Sequence, residues 1–290
     1  MKKKVLLLIC IFLFTMCLSG CDAVDTSSTM TAYTSVYPVE YILDNLYGDN
    51  IAIYSIYPDG ISYDSYNLTD KQLTDYSKGD LYIYNGTIQK EKDYAVKLLN
   101  KNKKIKVIDA SLGMNLTNDP DQTWLNPANC LMMASNIKKG LKEYINESIE
   151  IKKIEDNYEA LKLNLSEIEA ELKSIAVSAN NNKLVVSSDV FKYLEKYGFE
   201  VISLEDNENL TDKTIADVKK MLANKEISYI FIKDNEDESE LIKSLRETYG
   251  IQVVKLNTLS TLSASDRKDK KDYISITNDN INSIKLEVNN

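Results

Sequence analysis

The sequence predicts an α/β protein of two Rossmann-like lobes, each a mostly parallel sheet flanked by helices, joined by one long spine helix. Three observations predict it. Short runs rich in Val, Ile and Tyr alternate with helix-like patterns in two separate stretches, the pattern of parallel sheets covered on both faces. A single apolar seam at helical spacing lies between the two stretches. Glycine (9) and proline (4) are scarce in 290 residues, so the joint is not a flexible linker.

The elements follow in order. Lys2, Lys3 and Lys4 precede an apolar stretch from Val5 to Cys17, too short for a membrane-spanning helix and flanked like an export signal. Leu18-Ser19-Gly20-Cys21 resembles a bacterial lipobox, which predicts removal of residues 1–20 and a lipid on Cys21. Residues 21–30 are small and polar and read as a tether. The N-terminal lobe spans 31–147. Its strands are expected at Thr31–Val36, Ile51–Tyr57, Leu81–Tyr84 and Ile105–Asp109, and its helices at Pro38–Tyr47, Thr69–Ser77 and Glu91–Asn100. Asn126 is placed to cap a helix that starts at Pro127.

The spine occupies 148–180. Ile151, Ile154, Tyr158, Leu161, Leu165, Ile168, Leu172 and Ile175 recur at steps of three and four. A helix of about thirty residues is roughly 45 Å long, enough to run along a whole lobe. A coiled-coil dimer stalk has the same pattern. The short seam and the α/β segments at both ends favour packing within one chain, and the protein is expected to be a monomer. The C-terminal lobe spans 181–290. Its strands are expected at Lys183–Ser187, Glu200–Leu204, Ser228–Lys233 and Ile251–Leu256. Helices are expected at Val190–Tyr197, Asp212–Asn224 and Glu238–Tyr249, with Gly198 and Gly250 as left-handed caps.

Composition excludes several function classes. There is no histidine, so Ser-His and Cys-His catalysis and His-ligated zinc are absent. The net charge is −9 and no basic patch stands out, which argues against nucleic acid. No phosphate-binding loop or GxGxxG motif occurs. No nucleophile or acid–base pair with support can be named, so no enzyme is predicted. Cys130 lies in an apolar run and is expected to be packed.

Ligands of open α/β sheets sit beyond the carboxyl ends of the strands. Polar turns follow the predicted strands there. They are Pro58 to Tyr66, Asn118 to Pro127, Ser187 to Phe191, and Leu256 to Leu259. Tyr37, Tyr57, Tyr63 and Tyr66 also fall near strand ends. Packing explains them, and an aromatic-lined cleft for an organic solute is the sharper alternative.

With these turns in view, the chain resembles the cluster A-I substrate-binding lipoproteins of bacterial zinc and manganese ABC importers. The resemblance runs from about Thr31 to the C-terminus. It rests on Thr34-Ser35-Val36-Tyr37-Pro38, Gly48-Asp49, Asp80 to Gly86, Trp124-Leu125-Asn126-Pro127, Val185 to Asp189 with Tyr197-Gly198, Ile230-Phe231, and Asp272-Tyr273 with Asn280. It implies an extracytoplasmic binding protein, lipid-anchored at the outer face of the cell membrane, that serves an ABC permease.

The resemblance also implies a metal site of three histidines and one carboxylate. Here those positions carry Asp64, Gln122, Ser188 and Asn257, with Asp121 as the alternative to Gln122. Asp189 and Tyr66 are secondary cleft candidates. Such oxygen donors suit a hard divalent cation, and tight zinc binding is expected to be lost. The alternative is the same shell with metal binding lost altogether, taking another solute or acting as an adhesive or partner-binding surface lipoprotein.

Overall fold

The computed structural model describes residues 29–114 and 119–289. The export signal, Cys21 and the tether as far as residue 28 lie outside them. Two four-stranded sheets, every pairing parallel, form the two lobes. Lobe one contains β1 (Met30–Thr34), β2 (Ile51–Ser55), β3 (Leu81–Tyr84) and β4 (Lys106–Asp109) in the order β2-β1-β3-β4. Met30, expected in the tether, belongs to β1, where it pairs with Ile51.

The helices of this lobe are α1 (Tyr37–Tyr47), α2 (Asp70–Tyr76), α3 (Gln89–Lys101), the short α4 (Gln122–Leu125) and α5 (Pro127–Tyr144). Their starts follow local chemistry. Thr69 and Gln72 form a reciprocal capping box on α2. The Asn126 side chain accepts the Ala128 N–H, with Pro127 in the first turn of α5.

The spine, α6 (Ser148–Ser178), runs for 31 residues. Ile154, Leu161, Leu165, Ile168, Leu172 and Ile175 of the seam are buried, while Ile151 and Tyr158 are half-buried. The seam packs on α1, α5 and the C-terminal helix of this same chain. Apolar residues off the seam, such as Leu163, face solvent. Leu165→Ala is therefore expected to cost about 2–5 kcal/mol in urea unfolding. Leu163→Ala is expected to stay within about 0.5 kcal/mol of the parent.

Lobe two contains β5 (Lys183–Val186), β6 (Glu200–Ser203), β7 (Tyr229–Lys233) and β8 (Gln252–Leu256) in the order β6-β5-β7-β8. Its helices are α7 (Asp212–Ala223), α8 (Glu240–Tyr249), α9 (Ala264–Lys268) and α10 (Tyr273–Val288). The segment expected as a helix over Val190–Tyr197 is a 3₁₀ helix over Asp189–Tyr197. It starts with the Phe191 N–H donating to the Ser188 carbonyl, a bond three residues apart. Gly198 (φ 109°) ends it in the left-handed region, as Gly250 (φ 68°) ends α8.

One contiguous apolar core embraces both faces of the first sheet, the spine and one face of the second sheet. A smaller core fills the space between the second sheet's other face and α7 and α8. Buried Glu287 of α10 accepts the N–H groups of Ser228 (2.9 Å) and Tyr229 (2.8 Å), fixing the start of β7. Cys130 is buried on α5, where burial pushes its thiol up to about 12.

Candidate functional site

The carboxyl ends of the strands in both lobes carry the turns that bound the cleft, and a cavity of about 580 Å³ opens between them. Lobe one contributes Asp119 and Gln122. Lobe two contributes Asp189, Lys192 and Glu195 from its 3₁₀ helix, and Glu205, Asn207, Glu208 and Asn209 from the turn after β6. The lining is oxygen-rich and acidic. Among the described residues, no aromatic side chain lines it.

Gln122 reaches across the lobe boundary, its side-chain amide donating to the Asp189 carbonyl at 2.9 Å. Asp189 keeps a lowered pKa. Burial works against its charged form, but hydrogen bonds from Ser203 and Lys192 and the Lys192 ammonium outweigh it. That ammonium lies 3.0 Å from the Asp189 carboxylate. Gln122 and Asp189 are thus brought together in the cleft.

The other candidates end elsewhere. The buried Ser188 hydroxyl donates to Glu205 at 2.8 Å and accepts the Val190 N–H, so it caps the 3₁₀ helix and orients Glu205. The Asn257 side-chain oxygen accepts the Leu259 N–H at 2.7 Å, holding Leu259 at a φ of 59°. Asn280 pairs with the Asn257 backbone from both sides. Both side chains serve their own turns, and neither lines the cavity. Asp64 is exposed on the segment between β2 and α2. Tyr66 accepts a hydrogen bond from Gln72 at 2.7 Å and so faces α2.

Asp121 is buried behind the cavity wall and accepts the Tyr63 hydroxyl at 2.8 Å. Its carboxyl is pushed up to about 7. Burial is the first cause, and the charges of Asp119 and Asp64 add to it against the Tyr63 hydrogen bond and the Lys233 ammonium. Asp119 is also raised, by burial first and then by Glu205 and Asp64, while Lys233 opposes the shift. Lys233, the last residue of β7, pairs with Glu236 at 2.5 Å. A set of acids with its own ammonium counterions therefore occupies this region.

The tyrosines are packing elements. Tyr63 meets Trp124 edge-on with centroids 6.2 Å apart, Tyr57 meets Tyr66 in the same way, and Tyr37 lies buried beside Tyr41. The aromatic-lined cleft is not what these four rings build. Sequence reasoning passed over Glu205, although it follows a predicted strand end and the strand-end rule would have found it. It also passed over Asp119 within a turn it had marked.

The family model for the periplasmic zinc-uptake complex component A matches residues 33–286. The chain belongs to this family. Among its relatives is the manganese ABC transporter substrate-binding lipoprotein PsaA of Streptococcus anginosus, 26% identical over 261 residues and covering 81% of this chain and 84% of that one. Among solved structures, the metal-dependent lipoprotein YcdH from Bacillus subtilis has a TM-score of 0.75 at 19% identity, covering 89% of this chain and 99% of that one. The Zn(II)-bound ZnuA-like domain of AdcA from Streptococcus pneumoniae gives 0.74 at 21%, covering 90% and 100%. The two-lobed fold of zinc-uptake component A is thus this chain's fold, and the family consists of solute-binding components, not enzymes.

Proposed function

We propose that this chain is the ligand-capturing lipoprotein of an ABC importer. It is held at the outer face of the cell membrane by a lipid on Cys21 and delivers its cargo to a membrane permease as a monomer. Its site is histidine-free and built from oxygen donors, with Gln122, Asp189, Asp119 and Glu205 at the cavity. Asp64, Ser188 and Asn257 stand on the surrounding turns. The observation that carries the reading is the polar inter-lobe cavity at the carboxyl ends of both sheets, in a chain of the zinc-uptake component A family.

The donor set argues against tight zinc. Histidine is missing from the sequence. Among the described residues, no group of three or more His, Cys, Asp or Glu is arranged to hold a metal ion. The Lys192 ammonium pairs with Asp189, which reduces the negative charge left for a dication. The chemistry of the lining favours a second reading. Carboxylates, amides and a lysine are spread along a half-open cleft. A small polar solute that hydrogen-bonds to carboxylates and amides fits this space.

Calorimetry on the purified mature protein against Zn²⁺, Mn²⁺ and Ca²⁺, with elemental analysis, tests the donor set. Binding of zinc weaker than about micromolar is expected from oxygen ligands alone. Nanomolar one-to-one zinc would overturn the reading. Asp189→Ala, at the cavity, is expected to weaken any Ca²⁺ or Mn²⁺ binding, and identical titrations for parent and variant would remove Asp189 from the site.

A further inference from the structure

We infer that Arg267 is an inter-lobe latch: its guanidinium fastens the segment between β2 and α2 onto lobe two. That the latch bears on ligand capture, by fixing the two lobes that form the cavity, rests on the function proposed above; the latch itself rests on geometry.

Arg267 is one of two arginines in the chain. It sits in α9, whose start is fixed by a reciprocal capping box between Ser263 and Asp266. All three of its side-chain nitrogens are engaged with lobe one. Nε donates to Asp59 Oδ1 at 2.7 Å, while Nη1 and Nη2 donate to the two carboxylate oxygens of Glu40 on α1 at 2.8 and 3.1 Å. A lysine ammonium has no planar fork and cannot reproduce this arrangement.

Neighbouring contacts extend the clasp. The Gly60 N–H donates to the Leu262 carbonyl (2.8 Å) and the Thr261 hydroxyl (3.0 Å), with Gly60 at a φ of 74°. The Tyr37 N–H at the start of α1 donates to the Ser260 carbonyl at 3.2 Å. Further along the segment, the Lys90 ammonium binds the Tyr63 and Tyr66 carbonyls, and the Tyr63 hydroxyl holds Asp121. The segment is therefore clamped to lobe two at Asp59–Gly60 and to lobe one at Tyr63–Tyr66, with Asp64 inside the second clamp.

The Arg267 and Asp59 side chains are both over a third exposed. Ion pairs in such a setting add little to global stability. What they control is local opening, which has its own smaller free energy. Loss of the guanidinium frees the Asp59 end of the segment while both sheets stay folded.

Hydrogen exchange on the full mature protein, read by mass spectrometry at peptide level, tests this without any ligand. A failure of cation binding would therefore leave the latch standing. In Arg267→Gln, exchange across residues 59–66 and 260–263 is expected to rise by about tenfold. The strands β1 to β8 keep their protection, and Arg267→Lys falls between the two proteins. In the parent, 0.5 M NaCl moves exchange of these peptides towards that of Arg267→Gln by screening the partly exposed pairs, while the variant responds little. Unchanged exchange of the peptides covering 59–66 in Arg267→Gln would overturn the latch. So would a uniform loss of protection through both sheets, which marks a general structural residue. Should Arg267→Gln fail to fold, Asp59→Asn gives the same readout with the Glu40 fork intact. Its exchange at 59–66 rises if the latch holds and stays at the parent level if it does not.

Discussion

Glu91→Gln is expected to flatten the pH dependence of stability between pH 5 and 8 and to leave the variant more stable than the parent at pH 8. Glu91 lies in the first turn of α3 and is fully buried. Its carboxyl accepts the Asn85 N–H at 2.9 Å and the Tyr57 hydroxyl at 3.3 Å. Burial pushes it up to about 8, against the hydrogen bonds from Ser35, Asn85 and Tyr57 that favour its charged form. In the unfolded chain an ordinary glutamate titrates near 4.3.

The folded state therefore binds the extra proton between roughly pH 4.5 and 8, and stability falls as pH rises through that window. At about 1.4 kcal/mol per pH unit, the loss is on the order of 5 kcal/mol at its upper bound. Glutamine does not titrate and keeps a carbonyl for the Asn85 N–H. Asp121, pushed up to about 7, adds a second falling limb that ends one unit lower. Asp121→Asn should therefore reduce the slope below pH 7 to the Glu91 limb alone and leave that between 7 and 8 unchanged. Urea unfolding at half-unit steps from pH 5 to 8.5 measures both. A parent-like slope between pH 7 and 8 in Glu91→Gln would show that Glu91 ionises normally in the fold.

The strands were legible because lobe interiors demand it. Leu81 to Tyr84 and Lys183 to Val186 are short apolar runs with polar or turn residues on both sides, as a strand covered on both faces must be. The spine was legible because six seam positions had to be buried along one line. The 3₁₀ helix was not. Val190, Phe191, Leu194 and Tyr197 are its buried residues, and over nine residues this pattern does not separate a repeat of 3.0 from one of 3.6.

At the site, Gln122 and Asp189 line the cavity because the topology brings the turns at those strand ends together. Ser188 and Asn257, which the resemblance put at ligand positions, have their side chains engaged in capping and turn formation with close neighbours in the chain. The influence of Lys233 on Asp119 and Asp121 was invisible, since it joins β7 to a turn of the other lobe.

Trp124→Ala is expected to be the most damaging single substitution in the seam between the lobes. Trp124 is the only tryptophan and is fully buried. It stands in the four-residue helix α4 of lobe one, yet its indole N–H donates to the Thr258 carbonyl of lobe two at 2.8 Å. Its own carbonyl accepts the Tyr273 hydroxyl of α10 at 2.5 Å, and its ring meets Tyr63. Truncation leaves a large cavity there and should cost about 3–5 kcal/mol. Trp124→Phe keeps much of the apolar area but leaves the buried Thr258 carbonyl without its donor, a loss of about 1–3 kcal/mol.

The two variants separate packing from hydrogen bonding across the seam. In the parent, indole fluorescence and far-ultraviolet circular dichroism should report one urea transition, since a single core spans both lobes. In Trp124→Ala, dichroism and exchange protection of the two sheets should come apart, with lobe two opening at lower urea. Its smaller core, walled by α7 and α8, does not extend across the seam. A loss below about 1 kcal/mol in Trp124→Ala, with both sheets still melting together, would mean that the spine alone couples the lobes.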